Sequence, residues 1–366
     1  MARVQDDAAR WHVTRPTGRQ AWDALLAEVP TADPLQSWAW SEAGIATGER
    51  WHQLLVNDTD GRPVAAVQWQ LVSPVLGHPL AYAPHGPVWR RAADEVSTSA
   101  LRALVSGMRE HADAVGASAI LVDPRGGLPG MVAGGPATVS VGLGLEATSR
   151  HVQMPSTRVL DLRDGLDASR ATWDKDTRNL VRRAAREGVE VEVVSADDGP
   201  AVEAMHRLML AVGSRGSFAP RSERFLAAYG QSAGDRAFIC LGRWQGRVIA
   251  GALVGLVGDR AYYQFAGSLR EPELRHANAA YGVMERVIGE SVSRGARSLD
   301  LCGVNEKDDP AADPRWEGLS SFKRGFGGEP LRHPPVATIV LRPGVERFRE
   351  LAQWARARLR GVRRAA

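Results

Sequence analysis

A chain of 366 residues with 44% hydrophobic content exceeds what one compact core usually organises, so two domains are expected. No apolar run reaches the length of a membrane span, and the N-terminal MARVQDDAARWHV lacks the charged, apolar and small-residue regions of a secretory signal, which predicts a cytoplasmic chain. Cys240 and Cys302 lie near no second Cys or His at ligand spacing, which argues against disulfide frameworks and zinc sites, and the net charge of +4 suits an anionic partner.

In chain order, the first predicted element is a helix over residues 20–29. LLVNDTDGRPVAAVQWQLV (54–72) reads as strand, Asp-Gly turn and strand, and AYAPHGPVW carries Tyr82 on a further strand. A helix over 94–115 ends in Gly116-Ala117 and feeds the apolar strand SAILVDP; a glycine there is an ordinary helix cap. The glycine-rich stretch 126–144 marks a boundary before a strand at 158–162. ATWDKDTRNLVRRAAREGVEV (171–191) is a helix and strand, and a helix over 201–212 runs into a loop with Arg215, Arg221 and Arg224. FICLGRWQGRVIAGALVGLV (238–257) repeats the hairpin around Gln245-Gly246, and AYYQFAGSL carries Tyr263 and Phe265. A helix over 279–294 then ends in Gly295-Ala296 and feeds the strand RSLDLCG.

Helix, hairpin, strand, helix, strand therefore occurs twice, which predicts a duplicated α/β unit with mixed sheets. This order resembles the GNAT acyltransferase unit. The acetyl-CoA loop signature of that unit, Arg or Gln, two residues, Gly, one residue, Gly or Ala, is absent, although Arg324-Gly-Phe-Gly327-Gly328 comes close. The predicted domains are residues 1–145, joined by 331–366, and residues 146–330.

Three basic segments carry candidate chemistry. Lys175, Arg178, Arg182 and Arg186 recur at helical spacing, a stripe that is either solvated or meets phosphate. Arg221 and Arg224 lie in a loop suited to bidentate recognition of a pyrophosphate. From Arg342 to Arg364 eight Arg face two Glu, with Phe348, Leu351, Trp354, Leu359 and Val362 as a rough apolar stripe; this tail either packs on a domain or meets RNA or lipid. Most specific is residues 318–328, where Lys323 stands among Phe322, Phe326 and four glycines. Small residues allow close backbone approach to a ligand, and apolar neighbours strengthen a cation's field at a reacting carbonyl.

The pattern GL..FK.GFGG, after a strand ending D..G, resembles the C-terminal signature of the Fem family, which transfers amino acids from aminoacyl-tRNA to the stem peptide of peptidoglycan precursors. LQSWAW (35–40), YAPHGPV (82–88), ILVDP (120–124), VQMPSTRVLDL (152–162), the Lys175/Arg178 helix, the Arg221 loop and AYYQFAGS extend the resemblance. It implies two GNAT-like domains with the C-terminal helix returning to the first. It implies that Lys323 stabilises charge at the reacting ester, that Phe322 lies in the acceptor site, that Tyr263 and Phe265 stand near the precursor, and that Arg221 binds phosphate. Tyr82, Arg224, Lys175 and Arg178 complete the candidate substrate-binding set. The chain departs from the pattern at Glu42-Ala43-Gly44, where relatives often carry Lys, at Arg90-Arg91, where an acid often follows the GPV turn, and at His85.

The expected reaction is attack of a stem-peptide amine on the ester of an aminoacyl-tRNA, with no cofactor beyond that co-substrate and no metal. The expected partners are aminoacyl-tRNA and a lipid-linked or nucleotide-linked precursor, with peripheral contact to an anionic membrane through the Arg-rich C-terminus. The alternatives are tRNA-dependent transfer to a small peptide or amine in natural-product assembly, a CoA-dependent N-acetyltransferase, and a non-catalytic RNA-binding protein.

Overall fold

The computed structural model of the chain describes residues 10–91, 96–128, 143–148, 152–216, 219–306 and 314–352. Most of the glycine-rich boundary, the side chain of Arg215, and Trp354, Leu359 and Val362 lie outside them. Two compact units result, one of Met1–Thr31, Glu49–Gln153 and His333–Ala366, the other of Ala32–Gly48 and Met154–Arg332.

In the first unit, β1 (His12–Thr14), β2 (Trp51–Asn57), β3 (Pro63–Val75), β4 (His78–His85), β6 (Ala119–Pro124), β15 (Val336–Val340) and β7 (Glu146–Thr148) form a sheet in that order, with β5 (Val88–Trp89) on β3. Every pair is antiparallel except β4 and β6. Helices α1 (Arg19–Glu28) and α3 (Thr98–Ala114) belong to this unit. Leu101, Leu104, Val105, Met108 and Ala112 share one face of α3 at three- and four-residue spacing and are buried with Leu54, Trp69 and Ile120. Each such leucine contributes roughly 1.5–3 kcal/mol. Ser97 caps the start of α3, and Gly116 at φ +74° ends it as the sequence predicts.

The second sheet has the order β14 (Glu329–Arg332), β8 (Ser156–Asp161), β13 (Ser298–Asp300), β12 (Arg260–Ser268), β11 (Arg247–Val257), β10 (Ala237–Trp244), β9 (Glu190–Ser195). Only β12 and β13 pair in parallel. The β10–β11 turn uses Gln245 and Gly246, both left-handed, as a two-residue hairpin demands. Helices α2 (Trp38–Ala46), α4 (Gly165–Thr172), α5 (Lys175–Arg186), α6 (Gly199–Gly216), α7 (Glu223–Ala233), α8 (Ala279–Ser293) and α9 (Glu317–Arg324) belong here. Phe238, Val254, Val287, Ile288, Leu299 and Phe326 are central to the core.

Three sequence expectations are corrected. Residues 32–48 cluster with the second unit rather than the first, because Trp40 on α2 packs against Phe225 and Tyr229 on α7. The helix expected from 171 is broken at Trp173-Asp174, so that α4 and α5 are separate. The tail is helical over 343–352 (α10), yet its described apolar side chains face outward: Phe348 is 48% and Leu351 64% exposed. Arg349 turns inward instead, donating to Ser73 O at 2.5 Å, His78 O at 3.3 Å and Ser118 Oγ at 3.0 Å, while Glu346 pairs with it at 3.0 Å. A guanidinium has enough donors to satisfy these oxygens of β3, β4 and Ser118 at once, which an apolar side chain cannot do.

Candidate active site

Sheet geometry prepares the site. β12 and β13 pair only through Arg260–Ser298, Ala261–Leu299 and Tyr262–Asp300, although β12 continues to Ser268. A bulge on β12, between the Leu253–Phe265 and Val254–Tyr263 pairs, adds to the local distortion. Past Asp300 the chain stays tied to β8 on its other side through Leu301 N to Arg158 O and Val304 N to Ser156 O, both 2.9 Å. Between those ties Cys302 and Gly303 take left-handed conformations, φ +50° and +46°. Their carbonyls are thereby released from the sheet and need another donor.

Lys323 supplies it. The residue lies in the last turn of α9, is 5% exposed, and its Nζ donates to Cys302 O and, at 3.0 Å, to Gly303 O. An ammonium has three N–H donors, so one is left by these two bonds. The Tyr263 ring centroid stands 5.9 Å from Nζ. Burial pushes the lysine down from its ordinary value near 10.5 to about 8, opposed by Cys302. The helical, buried setting of Lys323 distinguishes it from a solvated surface cation.

The glycines of residues 325–328 have a different role from the one expected. A side chain on Gly327 would come 2.8 Å from Thr172 Oγ1 at the end of α4, and one on Gly328 would come 2.7 Å from Leu160 Cδ2 on β8. They permit close approach of the chain's own backbone, not of a ligand, and Asp174 N donates to Gly325 O at 2.9 Å in the same contact. Phe322 is half-buried beside Tyr281 and Phe326, with centroids 5.0 and 5.3 Å away.

A second cluster in this unit surrounds Arg221. Its guanidinium carbon lies 4.4 Å from the Phe225 ring and 5.1 Å from Trp40, while Trp40 stacks on Phe265 at 6.0 Å and 8°. Phe265 is half-buried and Tyr263, its neighbour by two on the strand, is buried, with its phenol pushed up by desolvation. Arg224 is exposed. Trp40, Tyr229, Asp300 and the Cys302–Gly303 pair were not among the candidates; the LQSWAW segment and the D..G strand end were the signals that could have found them.

The basic stripe is only partly as expected. Lys175, Arg182 and Arg186 are exposed, but Arg178 bends back and donates to Trp173 O, where the break between α4 and α5 leaves a carbonyl to satisfy. In the first unit, Tyr82 is buried, its hydroxyl 3.2 Å from Asp123 Oδ2 and 3.3 Å from Gln153 Nε2. Among the described residues, no group of three or more His, Cys, Asp or Glu could hold a metal ion, and no helix is long and apolar enough to cross a membrane.

No curated protein matches the sequence. A family model described as an acetyltransferase (GNAT) domain matches residues 174–318. Among solved structures, FemX is similar over 92% of this chain and 99% of its own, with a TM-score of 0.76 and 18% identity. The C-terminal domain assigned to a lysylphosphatidylglycerol synthetase from Agrobacterium fabrum covers 92% and 95%, at TM-score 0.52 and 15% identity. A tandem GNAT protein from the clavulanic acid biosynthesis pathway covers 90% and 98%, at 0.53 and 15%. The chain thus has a two-domain GNAT-like fold, and residues 174–318, within the second unit, match a GNAT-type domain.

Proposed function

We propose that the chain is an aminoacyltransferase that moves an amino acid from aminoacyl-tRNA to the stem-peptide amine of a peptidoglycan precursor. The observation that carries this reading is the buried Lys323 ammonium, fixed by two main-chain carbonyls where β12 and β13 part, with one N–H left for a substrate oxygen. The neutral acceptor amine attacks the ester carbonyl, the C–N bond forms, and the bond to the tRNA ribose oxygen breaks as that oxygen takes the amine's proton. Lys323 offsets the negative charge developing on the carbonyl oxygen, a role worth about 3 kcal/mol. Arg221 offers in-plane donors to the precursor's phosphates while its face rests on Phe225 and Trp40.

The likeness to FemX and to a synthetase named for a lysylated lipid supports an aminoacyl donor. So does the segment between β12 and α8, where an acetyltransferase would cradle a pyrophosphate. There Leu274, Arg275 and Ala277 give their N–H groups to local carbonyls, Pro272 has none, and in the first turn of α8 Tyr281 N donates to Asn278 O. Contact with an anionic membrane belongs to the same reading, since α10 exposes Phe348 and Leu351 beside exposed Arg347. A second reading, transfer to a small peptide or amine, is favoured by Glu42, which accepts from Ser232 where relatives often carry Lys, and by the clavulanic acid pathway neighbour.

The test is incubation with mixed aminoacyl-tRNAs and either precursor form, followed by mass spectrometry. Added residues that vanish with Lys323→Ala are expected. Deacylation of the tRNA only when small amines or peptides are supplied selects the second reading, and turnover with acetyl-CoA alone refutes both.

A further inference from the structure

We infer that Asp300, outside both the candidate set and the substrate-touching groups, is a positioning residue that shapes the main chain into a two-carbonyl claw for the Lys323 ammonium. Asp300 is buried, and its Oδ1 accepts from Thr157 Oγ1 at 2.6 Å and from Cys302 N at 2.7 Å. A carboxylate accepting from the amide two residues ahead closes an Asx-type turn, which bends the chain as it leaves β13. Two successive left-handed residues follow, and Lys323 Nζ donates to both of their carbonyls.

The left-handed region is ordinary for Gly303, where a side chain would come 2.8 Å from Met154 Cγ, but it is disfavoured for Cys302. The Asp300 bond to its amide holds Cys302 there from one side, and the Lys323 bond to its carbonyl from the other. The Thr157 hydroxyl fixes the carboxylate, and the ties of Leu301 and Val304 to β8 fix both ends of the turn. The groups facing Nζ are the Cys302 residue of the loop and the Tyr263 ring of β12; on its own helix, Arg324 pairs with Glu317 at 2.5 Å and donates to Asn305 O at 2.6 Å.

The role needs an acceptor oxygen rather than a charge, which sets the experiment. It uses the full chain and rests on the aminoacyl-transfer reading only for its kinetic arm. Asp300→Ala is expected to lower kcat about 100-fold, the cost of a displaced catalytic group, with KM for aminoacyl-tRNA nearly unchanged. Asp300→Asn, which keeps Oδ1, retains kcat within about threefold. An independent arm follows acylation of Lys323 by a small amine-reactive reagent against pH, read by mass spectrometry. Asp300→Ala shifts the midpoint down, because the released carbonyls no longer hold the cation, and Asp300→Asn does not. Cys302→Val should have a lower midpoint than Cys302→Gly, a comparison in which both chains lack the thiol and only the left-handed backbone differs, which decides the matter if Asp300→Ala fails to fold. Equal midpoints in the native and Asp300→Ala chains, or in Cys302→Val and Cys302→Gly, overturn the inference, as does an Asn variant as impaired as Ala. Shifted midpoints in a chain without transferase activity uphold the claw and overturn only the functional reading.

Discussion

Raising the pH should make this protein more stable through Lys323 while making it less active. The lysine sits at about 8 when folded against an ordinary value near 10.5. Below pH 8 both states carry the proton and burial of the cation costs roughly 3 kcal/mol. Between the two values the folded chain sheds the proton while the unfolded chain keeps it. The unfolded state then binds more protons, so stability rises with pH, and the penalty is relieved in full only above the unfolded value. Integrating from pH 7 to 9.5 gives a gain of about 2 kcal/mol. Lys323→Met lacks the group, so the assay is urea unfolding of native and Lys323→Met chains at the two pH values, with the difference cancelling every other titration. In the proposed reaction the cation that offsets the oxyanion disappears over the same range, so kcat should fall above about pH 8. A native-minus-Met stability difference that stays constant or falls as the pH rises would refute the reasoning.

Four further outcomes follow. Gly230→Ala should destabilise by about 3 kcal/mol in thermal unfolding, because a methyl group there overlaps the Ala196 carbonyl and outweighs any gain in helix propensity. Arg349→Met should cost about 3 kcal/mol, since it strands the Ser73 and His78 carbonyls and unpairs Glu346; earlier proteolysis near α10 would accompany it. Arg221→Ala should raise KM for a phosphate-bearing acceptor about tenfold with little change in kcat, as loss of a charge-assisted contact predicts. Phe348→Glu with Leu351→Glu should abolish co-sedimentation with anionic vesicles and leave transfer to a soluble acceptor intact.

Local patterns made much of the fold legible. Turn residues at Gln245-Gly246, helix-ending glycines at 116 and 295, and the three- and four-residue spacing on α3 each report geometry within a few residues of themselves. Sheet membership does not work that way. β15 joins β6 in the first sheet and β8 joins β13 in the second, so the strands at either end of the duplicated order lie far in sequence from their partners. The same limit hid Trp40, whose ring meets Phe265 and Arg221 across more than 180 residues of chain. Lys323 was readable from its neighbours, but its main-chain partners were not: a carbonyl has no residue identity, and only the end of strand pairing at Asp300 turns Cys302 and Gly303 into acceptors.

That end of pairing also separates the two copies of the duplication. β4 and β6 remain paired from Leu80–Ala119 to His85–Pro124, twice as far as β12 and β13. A parallel pair that stays closed satisfies its own N–H and C=O groups and offers none to a substrate. In the first unit Tyr82 takes the strand position of Tyr262, each in the third pair of its parallel ladder, and its hydroxyl is held by Asp123 and Gln153. In the second unit the strands part, the backbone turns left-handed twice, and the resulting carbonyls fix a cation beside the opening. The two units thus share a scaffold, while the site proposed for acyl transfer is built in the second, through three paired residues fewer and one lysine.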